Sequence, residues 1–297
     1  MNNILVDLHT HTSCSDGEFS PEQLYNLIKE YAKDKKVVWS VTDHNCVDAY
    51  DFLKQIQDDK LTIINGCELE FSYKNKTKDI LAYNFDINKM KIFLNEYYNL
   101  DKKIKRQEEI LTKFKNICKN NNLKFDNNIE IKTGKIGEAY NLMMKSLKKY
   151  ECNLKICPDI GVSGFYRKHF INQKSQFYVK DDFELLNLKQ VIDVIHSFGG
   201  LAFIAHSFDY AGETIEEVLT FLTDAKNAGV DGVEIMHFSI DRNKEQILRN
   251  FIKENNLLES GGTDYHGKLV KNTVKLFTGR DNNVNINIKN LKWIKNI

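Results

Sequence analysis

The stretch Asp7-Leu8-His9-Thr10-His11 constrains this chain more than any other. It follows the apolar run Ile4-Leu5-Val6, which predicts a short buried strand. Residues two apart share one side of an extended backbone, so Asp7, His9 and His11 are expected to project together from the end of that strand. Two imidazoles and a carboxylate converging there suit Zn2+, Mn2+ or Fe2+. The competing reading is a polar strand end whose histidines are only hydrogen-bonded, and the rest of the chain decides between the two.

The chain that follows alternates strand and helix patterns. Ser15-Asp16-Gly17 forms a turn, and Ser20-Pro21-Glu22-Gln23 opens a helix with a cap, a proline at its first position and a capping box. Residues 37–41 predict a second strand, running into Thr42-Asp43-His44. A helix over 47–56 leads to a third strand, 61–64, which runs into Gly66-Cys67-Glu68-Leu69-Glu70-Phe71. A lysine-rich hairpin precedes the strand 79–83. From 87 to 188 the rhythm changes to long lysine-rich helical patterns, such as 97–119 and 136–150, and predicts a mainly helical insertion. It separates a first barrel segment, 1–86, from a second, 189–297.

In that second segment a helix over 188–198 stops at Gly199-Gly200, and the buried strand 201–205 ends at His206. A helix over 214–227, a strand over 230–235 containing Glu234 and a helix over 242–254 follow. The chain then reaches Gly261-Gly262-Thr263-Asp264-Tyr265-His266-Gly267. Repeated β-α units predict a parallel sheet, open or closed as a barrel. In an α/β barrel the strand C-termini share one face, and that face carries the active site. His9, His11, His44, Glu68, His206, Asp264 and His266 all fall at expected strand ends, which favours a metal centre over isolated hydrogen bonds.

Composition narrows the classes. The 297 residues allow one α/β barrel or two ordinary domains. A net charge of +1 gives no bulk attraction to nucleic acid or an anionic membrane, so no stable nucleic-acid partner is expected. Six scattered cysteines without a C-x-x-C pair, and no signal-peptide pattern, point to a reduced cytoplasmic setting. No apolar run approaches the ~20 residues of a membrane span.

The motifs Asp7-Leu8-His9-Thr10-His11, Ser15-Asp16-Gly17, Thr42-Asp43-His44, Gly66-Cys67-Glu68, Ala205-His206-Ser207 and Gly262-Thr263-Asp264-Tyr265-His266 resemble, in order and spacing, the PHP (polymerase and histidinol phosphatase) family of metal-dependent phosphoesterases. The likeness is to its stand-alone bacterial members. The resemblance implies an α/β fold, a distorted seven-stranded β/α barrel, with two or three divalent ions (Mn, Fe or Zn). It implies a first metal on His9, His11, Glu68 and Asp264. Glu68 would bridge to a second, held also by His206, and Asp16, His44 and His266 would hold a third. Asp7 and Asp43 would orient neighbouring histidines from outside.

The sequence departs from that family pattern at four places. Asp79 stands where many relatives carry a histidine ligand, which adds negative charge and favours a harder ion such as Mn2+. Ser207 replaces the proline of Ala-His-Pro. Lys103 and Arg106 occupy the place of an arginine pair that grips phosphate, and Gly137-Glu138-Ala139-Tyr140 replaces a second phosphate-binding segment, where a glutamate would repel substrate.

The chemistry expected is in-line attack on phosphorus by a metal-bound hydroxide. A cationic side chain would neutralise the equatorial oxygens, Arg106 first, then Arg167 and Lys168. His206 or Asp264 would assist the leaving oxygen. Expected substrates are small phosphomonoesters, nucleotides or the ends of short oligonucleotides. The alternatives are a histidinol-phosphate phosphatase, a metallo-amidohydrolase bridged by a carbamylated lysine, and a non-catalytic scaffold that has lost its ligands. His237 follows the strand holding Glu234 and is read as a bystander before it is read as a site residue, and Glu234 is expected to brace the barrel mouth rather than bind metal. The aromatics Phe165, Tyr166, Phe170, Phe177 and Tyr178 read as the insertion's core.

Overall fold

The computed structural model describes residues 4–162, 164–210 and 213–295. The outer ends of the two expected barrel segments, 1–3 and 296–297, lie outside the described residues. In chain order the elements are β1 (Ile4–Asp7), α1 (Pro21–Ala32), β2 (Lys36–Trp39), α2 (Tyr50–Leu53), β3 (Leu61–Ile63), β4 (Gly66–Tyr73), β5 (Lys76–Tyr83), α3 (Ile87–Tyr97) and α4 (Leu100–Asn120). They continue with α5 (Glu138–Leu147), α6 (Cys152–Ile156), α7 (Leu188–Ser197), β6 (Leu201–Ile204), α8 (Ile215–Ala228), β7 (Gly232–Met236), α9 (Arg242–Asn255) and β8 (Leu258–Gly261). Two compact units result: Met1–Leu94 with Leu185–Asp209 and Glu213–Ile297, and Asn95–Glu184 with Tyr210–Gly212.

The first unit is an α/β barrel built from two sheets. β1, β2 and β3 pair in parallel, and β4 to β8 pair in sequence order. Two isolated parallel bridges join the sheets, Thr10 with Tyr265 beyond the ends of β1 and β8, and His44, beyond β2, with Glu68 of β4. Leu8 donates to Gly261 O at 3.2 Å, His11 to Tyr265 O at 2.9 Å, and Asn45 to Glu68 O at 2.8 Å. These bonds close the ring and draw the segments that carry His9 and His11, His44, Glu68 and Asp264 together at one rim.

Two features differ from the expected parallel barrel. β5 runs antiparallel to both β4 and β6. The cause is local: Lys74 and Asn75 have φ values of 48° and 63°. Two left-handed residues make a tight hairpin and leave no length for a crossover helix. The third strand, expected over 61–64, ends at Ile63, and the Gly66–Phe71 segment it runs into forms a separate strand, so β3 and β4 belong to different sheets and the described residues contain eight strands. Glu68 therefore lies inside β4 and Asp79 inside β5, paired across from Glu70, rather than at strand ends.

The helices follow the sequence signals where caps exist. Ser20 and Gln23 form the capping box of α1, with Pro21 in its first turn. The pattern over 97–119 divides because Asn99 caps α4, its side chain accepting from Lys102 N–H. The expected helix over 47–56 contracts to the four residues of α2, where Tyr50 hydroxyl donates toward Val41 O at 2.7 Å and Ile64 O at 3.0 Å.

The barrel core contains Val6, Leu8, Val38, Leu81, Tyr83, Phe203 and Ala205, sealed by Leu291 and Trp293. The second unit has its own core of Phe114, Met143, Leu147, Phe165, Phe170 and Phe177. Three of the five aromatics expected to form that core do so, while Tyr166 is exposed and sits edge-on to Tyr140 at 5.0 Å. Among the described residues no helix is long and apolar enough to cross a membrane.

Candidate metal centre

Glu68 is the hub of the barrel rim. Its Oε2 lies 3.2 Å from His9 Nε2, 3.2 Å from His11 Nε2 and 3.3 Å from His44 Nδ1, and its Oε1 lies 2.9 Å from His206 Nε2. Four imidazoles from three segments thus share one buried carboxylate. Burial opposes its charge, but His44 and His9, with His11 and His206, hold its pKa well below the usual value.

Asp264 is a second hub. Its Oδ1 lies 3.2 Å from His11 Nε2, 3.2 Å from His266 Nδ1 and 3.6 Å from His9 Nε2. Asp16 reaches His266 Nε2 at 3.3 Å and His11 Nδ1 at 3.7 Å. Asp79 lies 3.9 Å from His206 Nε2. Burial and the neighbouring Glu68 push the Asp79 carboxyl up to about 6.

The side chains form overlapping sets whose ligand atoms lie within 4.8 Å of one another: His9, His11 and Asp264; His9, Glu68 and His206; His44, Glu68 and Asp79; and His11, Asp16, His44 and His266. Divalent cations fit these sets. Both ring nitrogens of His11 and Nδ1 of His44 are buried without a hydrogen-bond partner, although carboxylate oxygens lie close by. Buried polar atoms are rarely left so. Cations placed between imidazole lone pairs and carboxylates satisfy both.

The scaffolding behind these side chains is specific. Glu234 on β7 accepts from His9 Nδ1 at 2.9 Å and from His206 backbone N–H at 2.8 Å. Burial opposes its ionisation, but His9 holds its carboxyl below the usual value. A proton kept on His9 Nδ1 leaves Nε2 free as a metal donor. The same carboxylate fixes the backbone at His206, where φ is 24°. At the exit of β8, Gly262 passes so close to His9 that a Cβ would stand 2.3 Å from its backbone nitrogen.

Asp7 and Asp43 do not orient histidine rings as expected. Asp7 accepts from Thr263 N–H at 2.9 Å, Thr263 hydroxyl at 2.6 Å and Phe277 N–H at 3.0 Å, tying β1 to the segment after β8. Asp43 accepts from Thr12 N–H at 2.7 Å, Thr12 hydroxyl at 2.6 Å and Ser15 hydroxyl at 2.6 Å. It thereby shapes the loop that presents Asp16. A short carboxylate at a turn is satisfied by nearby backbone and hydroxyl donors before it can reach an imidazole.

Two residues outside the expected ligand set join this centre. His237 Nε2 lies 3.2 Å from Asp264 Oδ2, and its Nδ1 lies 2.7 Å from Ser239 hydroxyl. Lys271 Nζ also binds Asp264 Oδ2. His237 follows β7, a position that marks it only weakly in sequence. Lys271 sits among surface-type lysines and has no such signal.

The expected phosphate ligands belong to the second unit or to its short helical turns. Arg106 Nε donates to Asp181 Oδ2 at 2.8 Å, and the guanidinium stacks on Phe183 at 4.8 Å from the ring centre. Lys168 pairs with Asp159 at 2.7 Å, and Arg167 is half-buried beside it. Glu138 has a partner set of its own: its carboxylate accepts from the N–H groups of Lys132, Thr133 and Gly134 and from Thr133 hydroxyl. It closes the loop before α5 and fills a backbone anion cradle itself.

The PHP domain profile matches residues 7–230 of the chain. A 5′-3′ exoribonuclease of Haemophilus influenzae is 27% identical over 263 residues, covering 88% of this chain and 89% of that protein. A 5′-3′ exoribonuclease of Salmonella typhimurium is 22% identical over 274 residues, covering 89% and 85%. The structure of an amidohydrolase from Chromobacterium violaceum, with bound sulfate and no metal, superposes with a TM-score of 0.65 at 17% identity, covering 88% of this chain and 87% of that one. A protein described as a candidate metal-dependent phosphoesterase from Bifidobacterium adolescentis gives a TM-score of 0.59 at 18% identity, covering 95% and 91%. At those identities the two structures share the fold.

Proposed function

The chain belongs to the PHP domain family, a metal-dependent phosphoesterase, and on that premise we propose that it removes nucleotides from the 5′ ends of short oligoribonucleotides. The observation that carries the phosphoesterase part is Glu68 shared by four imidazoles at one rim, beside Asp264 and Asp16. The polymeric substrate is supported by two relatives aligned over nearly the full length of both partners. A net charge of +1 suits an enzyme that releases short products rather than one that stays on nucleic acid.

In this proposal His9, His11, Glu68 and Asp264 hold one ion, Glu68, His206 and Asp79 a second, and Asp16, His44 and His266 a third. Bound there, divalent ions supply Lewis acidity and a nucleophile usable at neutral pH. The chain's own residues do the rest. Glu68 keeps the three sets in register. Glu234 holds His9 in one tautomer and His206 in place. Asp264 divides its oxygens, Oδ1 toward the imidazoles and Oδ2 toward Lys271 and His237. Burial opposes its charge, but Lys271, with His266 and His9, holds its carboxyl well below the usual value, so it stays ionised as a metal donor.

The test is turnover by chelator-stripped, Mn2+-reloaded protein. Its panel holds 5′-phosphorylated oligoribonucleotides of two to six residues, mononucleotides, p-nitrophenyl phosphate and histidinol phosphate. Release of 5′-mononucleotides, lost on stripping and in His9→Ala and Asp264→Ala, is the expected result. Faster cleavage of histidinol phosphate or mononucleotides than of any oligomer would overturn the polymeric assignment.

A further inference from the structure

The metal centre is fringed by a pair of cations that the ligand set does not use. Lys271 Nζ touches Asp264 Oδ2 at one end, and its side chain is 25% exposed, so it spans from the ligand cluster to solvent. It lies 5.1 Å from the centre of the Phe238 ring, and the Arg280 guanidinium lies 4.8 Å from the same centre. Phe238 is itself buried. It follows β7 directly after His237, so the ring couples a rim residue of the metal centre to both cations.

The turn that carries Arg280 is built onto that loop. Asn283 Nδ2 donates to His237 O at 3.2 Å, Phe238 O at 3.0 Å and Ile240 O at 3.1 Å, and Asn283 Oδ1 accepts from Arg280 N–H at 2.9 Å. Arg280 Nε donates to Thr273 hydroxyl at 3.1 Å, on the segment after Lys271. Among the described residues no carboxylate lies within ion-pair distance of Arg280. In contrast, Arg106 is held by Asp181, and Arg249 by Glu245 and Glu259. Arg280 is therefore a preplaced, exposed guanidinium with no carboxylate at ion-pair distance among the described residues, seated on the same ring as Lys271.

We infer that Lys271 and Arg280, gathered on Phe238, form a phosphate subsite, in which Lys271 grips the phosphoryl group under attack and Arg280 the next phosphate along the strand. An arginine's planar fork accepts two oxygens of a phosphodiester, and a lysine acts as a point charge, which suits this division. The subsite makes the preferred substrate one with at least two successive phosphates. It rests on the phosphoesterase reading above and narrows it.

The experiment compares wild type, Arg280→Gln, Arg280→Lys and Lys271→Gln, each loaded with Mn2+ and checked for metal content and melting temperature. The substrates are a 5′-phosphorylated trinucleotide and the p-nitrophenyl ester of thymidine 5′-monophosphate, which carries one phosphate. Arg280→Gln is expected to raise KM for the trinucleotide about tenfold and leave the single-phosphate ester within about twofold. It should also flatten the salt dependence of kcat/KM by about 0.7 of a log unit per log unit, the value for one single-strand contact, and Arg280→Lys should restore the slope. Lys271→Gln should raise KM for both substrates with metal content unchanged. Equal effects of Arg280→Gln on the two substrates, or none, overturn the subsite. Loss of metal in Lys271→Gln assigns that lysine to Asp264 and overturns its role on phosphate. If wild type cleaves neither substrate, the phosphoesterase reading fails. The subsite is then judged by anisotropy with a hydrolysis-resistant phosphorothioate trinucleotide: weaker binding by Arg280→Gln upholds it, and equal binding overturns it.

Discussion

Two places in this molecule gather metal-type side chains, and they are not alike. At the barrel rim, carboxylates and imidazoles converge, yet both nitrogens of His11 and one of His44 have no hydrogen-bond partner. In the second unit Cys157, Asp159 and His169 also come together. There, His169 Nδ1 meets Ser175 hydroxyl at 3.0 Å, its Nε2 meets Asp159 at 2.7 Å, and Lys168 neutralises the same carboxylate. Burial raises the Cys157 thiol, which keeps it protonated. At the rim the His11 and His44 nitrogens are left over, whereas in the second unit Ser175, Asp159 and Lys168 satisfy the cluster among themselves. What separates a metal centre from a knot of polar side chains is the unfilled bonding capacity of its atoms, not the residue types present.

The sharpest way to break this contrast is to remove the hub. Glu68→Gln should lower activity by more than about 100-fold and release metal, because outer partners alone are worth about 10–100-fold and Glu68 is the shared inner one. Asp159→Asn should leave metal content and turnover within about twofold, as expected of an ordinary surface substitution. Metal analysis of both variants decides the matter, and equal metal loss would erase the distinction.

Next in size is Glu234. Glu234→Gln can still accept one bond, but it loses the charge that holds the proton on His9 Nδ1. Metal affinity, read by competition with a coloured chelator, should fall by about 10–100-fold while the fold persists. An unchanged affinity would reduce Glu234 to a packing role.

Gly262→Ala probes the close passage at the rim. Its Cβ would meet His9 backbone, so stability should fall by about 1–3 kcal/mol, the usual cost of overpacking. The melting temperature measures it, and an unshifted value would show that the rim has slack. Gly164→Ala in the second unit is the matched control for space, since nothing lies within 4 Å of its Cβ, although its φ of 105° adds strain.

The smallest effect belongs to the second unit's surface. Lys113 and Lys180 hold the Asp182 carboxyl at about 2, below its ordinary 3.8. A depressed carboxylate stabilises the fold above the unfolded value and loses that contribution as pH falls through the folded one. Acid titration of stability should therefore show a slight extra loss between about pH 4 and pH 2, absent in Asp182→Asn and weakened by salt, since the pair is solvent-screened.

Local patterns made much of the barrel legible. Ile4-Leu5-Val6 before alternating donors marks β1, and Ser20-Pro21-Glu22-Gln23 marks the start of α1. The lysine-rich hairpin before 79–83 is legible in the sequence, but the antiparallel pairing of β5 with β6 and the position of Glu68 and Asp79 inside strands depend on contacts across the sheet. At the site, histidines and acids stood out by type and spacing. Asp7 looked like part of the ligand group because it shares their alternation, yet its partners Thr263 and Phe277 lie 256 and 270 residues away. Nothing in its neighbourhood could reveal them.

The sequence by itself determined which side chains could bind a metal and which segments would carry them, because period, caps and turn residues act over a few positions. Only the tertiary structure decided that Glu68 is shared by four imidazoles, that Glu234 sets His9 and His206 together, and that Lys271 and His237 take one oxygen of Asp264. A buried carboxylate binds whichever donors the closed barrel brings within about 3 Å. That choice is made by the meeting of strands far apart in the chain.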